Sequence, residues 1–83
     1  MADVKSLRKR FTQLRKETEK LDEHYSIKGW GHMFSAKRMS ATVRTDSPSA
    51  YLSHSEVKSF IEDTGCKVSI GEGEYGPLVR FEF

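Results

Sequence analysis

Residues 71–76 read GEGEYG and satisfy the G-x-G-x-x-G spacing that cradles a dinucleotide pyrophosphate. That chemistry needs a helix directly after the third glycine, because the amides of a helix N-terminus hold the phosphates. Here Pro77 follows, Leu78 to Phe83 alternate as a strand does, and Glu72 and Glu74 would repel an anion. The glycines therefore predict a hairpin tip. His24, His32, His54 and Cys66 are the soft donors of the chain, and no two stand at the short spacing of paired zinc ligands. His54 lies between Ser53 and Ser55 and near Asp46, residue types that build hydrolytic triads. Nothing in the local pattern aligns a nucleophile with a base and an oxyanion donor, and polar residues of this kind are ordinary in a first helical turn. Cys66 falls at an inward position of a strand pattern, where cysteine acts as a small apolar side chain. The expectation is a non-enzymatic protein with no metal, cofactor or small-molecule substrate.

What remains is ionic. The chain carries 14 Lys and Arg against 12 Asp and Glu, for a net charge of +2. The average hides a division, since residues 1–44 hold eleven bases and five acids (+6) and residues 45–83 hold three bases and seven acids (−4). Lys5, Arg8, Lys9, Arg10, Arg15 and Lys16 crowd the N-terminal segment, and Lys37, Arg38 and Arg44 follow, with Lys28 between. Binding to a phosphate backbone requires a positive surface of this sort and little else. Trp30 and Tyr25 add rings that can stack, and Ser40 and Thr42 add hydroxyls, a mixture better suited to RNA or single strands than to major-groove readout. The expected partner is nucleic acid, RNA in preference to DNA.

A second reading makes the partner a protein. Glu17, Glu19, Asp22 and Glu23 crowd the second half of the same segment, so its charge runs opposite to what a helix dipole favours. Two antiparallel copies would oppose Val4 to Leu21, Leu7 to Thr18 and Phe11 to Leu14, laying each basic half along the other's acidic half. Arg8 and Arg15 would still face each other. Head-to-tail docking of the basic end on Glu62, Asp63, Glu72 and Glu74 is a further form of self-association. An inhibitor or adaptor docking to a partner protein is thus the alternative. The size, the dense charge and the lack of a catalytic motif resemble the small accessory binding proteins of phages and mobile elements.

These residues need elements to hold them. Val4, Leu7, Phe11, Leu14, Thr18, Leu21 and Tyr25 recur at helical spacing without Gly or Pro, which predicts a helix over about 3–24. The stripe either packs on the domain's own sheet or forms the seam just described. Met39, Ala41 and Val43 alternate with Arg38, Ser40, Thr42 and Arg44, which predicts a strand over about 37–45, with 25–30 or 31–35 as its hairpin partner. The run DSPSAY reads as a loop. Ser53 and Glu56 stand in capping-box spacing, and Leu52 and Val57 in that of a hydrophobic staple, so a second helix is expected over about 54–64, closed by Gly65. Cys66, Val68 and Ile70, then Val79, Phe81 and Phe83, predict a C-terminal hairpin over about 66–83. The order describes a single α+β domain, 1–83, an N-terminal helix followed by β-β-α-β-β with an antiparallel sheet of three or four strands. No apolar stretch is long enough to span a membrane, no apolar run backs the N-terminal bases, and one cysteine suits a reducing compartment. A soluble, cytoplasmic protein is expected.

Overall fold

The structure is a computed structural model that describes residues 3–18, 32–74 and 76–83. Helix α1 (Val4–Thr18) precedes strands β1 (His32–Ser35) and β2 (Ser40–Arg44), helices α2 (Pro48–Ser53) and α3 (Ser55–Thr64), and strands β3 (Lys67–Gly73) and β4 (Gly76–Glu82). The four strands form one antiparallel sheet in the order β1-β2-β4-β3. This is the α+β architecture expected from the sequence, with one more short helix.

Period-two alternation fixes which face of the sheet is covered. Ala41, Val43, Val79 and Phe81 are buried and stand opposite one another in register, Ala41 against Phe81 and Val43 against Val79. Phe11 and Leu14 of α1 meet them, as do Val57 and Phe60 of α3 and Tyr51 of α2, and Leu7 of α1 is buried as well. Aromatic rings knit the layers: Phe60 lies edge-on to Phe81 at 5.0 Å, and Phe11 lies 6.1 Å from Phe60. The stripe of α1 thus packs on its own sheet. Thr18, the polar member of that stripe, is fully buried and donates its hydroxyl to the Leu14 carbonyl at 2.9 Å, so its own hydroxyl is satisfied.

Several boundaries differ from the sequence expectation. Residues 19–24 of the expected first helix lie outside the described residues, together with Tyr25, Lys28 and Trp30. The strand expected over 37–45 is shorter, because residues 36–39 make the turn between β1 and β2 while Met39 adopts a left-handed φ of 50°. A strand cannot include that conformation. The segment expected as a loop forms α2 instead: Pro48 sits in its first turn, where a missing N–H costs nothing, and Tyr51 anchors it in the core. The cap of α3 is His54 rather than Ser53. His54 Nδ1 accepts the Glu56 amide at 3.2 Å, while the Ser53 hydroxyl turns back to the Ser49 carbonyl at 2.9 Å. Gly65 closes α3 as expected, in the left-handed conformation at φ 63°, its N–H bonded to the Ile61 carbonyl. GEGEYG is the tip of the β3–β4 hairpin, tightened so that Gly73 pairs with Gly76.

Candidate nucleic-acid interface

Helix α1 positions most of the candidate residues, and its packing sorts them. With Leu7, Phe11, Leu14 and Thr18 against the core, the side turned to solvent carries Lys5, Arg8, Lys9, Thr12, Gln13 and Lys16. Their spacing of three and four residues is that of one helical face. Together they line an open groove of about 520 Å³. Lys5, Lys9 and Lys16 have no carboxylate partner among the described residues. Arg8 stands at the edge of this face, its guanidinium 5.5 Å from the centre of the Phe34 ring. That cation–π contact orients Arg8 without neutralising it.

Two of the expected members are turned elsewhere. Arg10 leans to the other flank, where Nε and Nη2 each lie 3.2 Å from Asp63 Oδ2. Its guanidinium also sits 5.5 Å from the centre of the Phe60 ring, and Nη1 comes within 4.0 Å of Glu17. It ties α1 to α3 and is largely shielded, its side chain 20% exposed. Arg15 lies on the β1 flank, close enough to His32 to disfavour the protonated imidazole.

The strand residues do not extend this face. Ser40, Thr42 and Arg44 alternate with buried Ala41 and Val43, so they lie on the side of the sheet opposite the helices. The basic surface expected to run continuously from the first helix onto this strand is therefore two surfaces. On the outer face of the sheet Thr42 pairs with Arg80, and Arg80 pairs in turn with Ser69. Arg38, from the β1–β2 turn, borders the same surface, while Lys37 is exposed in that turn. Arg44 Nη2 reaches the Met33 sulfur at 4.0 Å. Arg80, the strongest addition the sequence reading missed, approaches Glu82 at 4.0 Å, so this face mixes charge signs at its centre, whereas the α1 face meets an acid, Glu17, only at its edge through Gln13. Thr12 and Gln13 were missed as well. Heptad counting from the buried stripe would have found them.

The charge gradient of the N-terminal segment also looks different in place. The described helix starts with the Asp3 carboxylate accepting the Ser6 amide at 2.7 Å, an acid where the dipole favours one. That hydrogen bond lowers the Asp3 pKa from its ordinary value. Arg15 and Lys16 occupy the last described turn, which suits a cation. Lys5 in the first turn and Glu17 beside Lys16 still run against the dipole, and Glu19, Asp22 and Glu23 lie outside the described residues. An antiparallel seam from Leu7, Phe11, Leu14 and Thr18 has no exposed stripe to use, since all four are buried within one chain. No group of His, Cys, Asp and Glu suited to a metal ion occurs among the described residues. No described helix is long and apolar enough to cross a membrane. Comparison of the chain with protein-family models, with curated proteins and with solved structures found no match to any of them.

Proposed function

We propose that this protein is a non-enzymatic cytoplasmic module that binds nucleic acid, RNA in preference to DNA, through the solvent face of α1. The observation that supports this reading is the gathering of Lys5, Arg8, Lys9 and Lys16 with Thr12 and Gln13 on one face, where Glu17, bonded to Gln13 at its C-terminal edge, is the nearest acid of the described helix. Four cations on a rigid helix meet successive phosphates without reading bases, while the Thr12 hydroxyl donates to the Arg8 carbonyl and the Gln13 amide to Glu17. The outer sheet face contributes less, because Glu82 partly neutralises Arg80 there.

Affinity for a mixed-sequence RNA duplex should fall with salt, with a log–log slope of about −3 to −4 for four phosphate contacts. Combined Lys5→Glu, Lys9→Glu and Lys16→Glu replacement should abolish binding irrespective of sequence, whereas Arg38→Glu with Arg80→Glu should leave most of it. Salt-insensitive binding, or no binding to RNA or DNA at low salt, would refute the reading.

A further inference from the structure

Among the described residues strand β3 ends the sheet at one side, and its seven residues leave a row of backbone donors and acceptors without a strand partner on the outer side. Edges of this length are usually protected by a proline, a bulge or inward-pointing charge, since they template pairing with another strand. Between Val68 and Gly71 β3 has none of these, although Lys67 at its start and Glu72, in the phase of Val68 and Ile70, bound that stretch with charge. The described helical layer also stops short of it. Val68 packs against the core, but Ile70, on the same face and opposite buried Val79, is 53% exposed. This edge asks for a neighbouring strand that brings an apolar residue to Ile70.

We infer that β3 pairs with β3 of a second copy, antiparallel and centred on Ser69, joining two four-stranded sheets into one of eight. An antiparallel pair keeps side chains on matching faces only when partners share parity, so the two-fold axis must pass at a residue position. Centring on Ser69 opposes Val68 to Ile70 of the second copy twice, closing an apolar patch over the joint, with Lys67 opposite Gly71. Centring on Ile70 would set Val68 against Glu72, and centring on Val68 would pair Ile70 with Cys66, beyond the start of the strand. The Ser69 register also opposes no two like charges. The contact is isologous and closed, so it stops at a dimer.

An axis of this kind stands normal to the sheet, so both helical layers lie on one side. Resting on the nucleic-acid reading, this brings the two α1 faces to a single binding side. Helix α1 lies over β1, three strands from the joint, so the two helices sit about 34 Å apart at the usual strand spacing.

The dimer is tested without nucleic acid. In a Cys66→Ser background, Ser69→Cys and Ile70→Cys variants are oxidised with diamide at several protein concentrations. Residues facing across an antiparallel pair have Cα atoms about 4.5–5.5 Å apart, within disulfide range. Ser69→Cys should cross-link to a dimer and Ile70→Cys several-fold less. Sedimentation equilibrium of the parent should show mass rising toward twice the monomer with concentration, and Ile70→Lys should stay monomeric with an unchanged circular dichroism spectrum. A parent that remains monomeric, or an Ile70→Cys that cross-links as readily as Ser69→Cys, overturns the inference. Either result leaves the salt-dependent binding of the α1 face to be judged separately.

Discussion

At the scale of single residues, His32 carries the largest electrostatic consequence of the fold. It stands at the start of β1 beneath α1, its ring 6.0 Å from that of Phe11, and Nε2 is buried without a hydrogen-bond partner among the described residues. Burial first, and the nearby Arg15 second, push its pKa down to about 4 from 6.5. A histidine held neutral in the fold takes up its proton more readily when the chain unfolds, so the unfolded state binds more protons and stability rises with pH. The contribution is complete above 6.5 and is lost progressively as pH falls toward 4. A shift of this size corresponds to roughly 3 kcal/mol at full burial, and to about 2 kcal/mol once partial exposure is discounted. Urea unfolding of the parent should therefore lose about 2 kcal/mol more than His32→Phe between about pH 7 and pH 4. Equal losses in the two proteins would mean that the imidazole is solvated. Asp3 acts in a lower window: its pKa is lowered, so its contribution disappears only below the ordinary carboxylate range. Neither effect is legible in the sequence, where His32 is one of three similar histidines. Only the placement of α1 over β1 distinguishes it.

Among the elements, the start of α3 tests how local rules compete. Ser53 and Glu56 have capping-box spacing, yet α2 runs through Ser53 and leaves His54 as the residue with extended backbone before Ser55. The side chain of His54 then satisfies the Glu56 amide. His54→Ala should cost about 1 kcal/mol, His54→Asp should recover most of it, and Ser53→Ala should stay within about 0.5 kcal/mol. Chemical denaturation of the three variants decides the assignment, and a larger loss at Ser53 than at His54 would return the cap to Ser53. The error in reading this helix has the same origin as the error in reading α2. Turn-forming Ser and Pro residues also start helices, and the deciding fact, burial of Tyr51, is tertiary. Strands β2 and β4 were legible because each alternates cleanly over a half-covered sheet. The end of β3 was less so, because Ile70 keeps the inward phase of the pattern while the layer that should cover it does not reach that far.

For the whole molecule, the decisive question is where the stripe of α1 goes, because the position of every cation follows from it. Composition located the positive charge in the first half of the chain but could not divide it, since bases occur all around the helix. Packing divides it into a solvent face, an Arg10 strut and an Arg15 flank, and sets Arg44 on the far side of the sheet. Leu14 is the residue on which this arrangement turns. It is fully buried among Phe11, Val43, Phe60 and their neighbours. Leu14→Ala should cost about 2–5 kcal/mol, by lost transfer energy and the cavity left behind. A domain of this size has only about 5–15 kcal/mol to lose. Leu14→Glu adds the burial of an unpaired charge, and should leave the chain unfolded at room temperature. Lys9→Glu, on the opposite side of the same helix, should melt with the parent. Circular dichroism on the three proteins gives the answer directly. A folded, monomeric Leu14→Glu that has merely lost a binding partner would show that the stripe faces another chain, and the assignment of cations to faces would have to be redrawn from that seam.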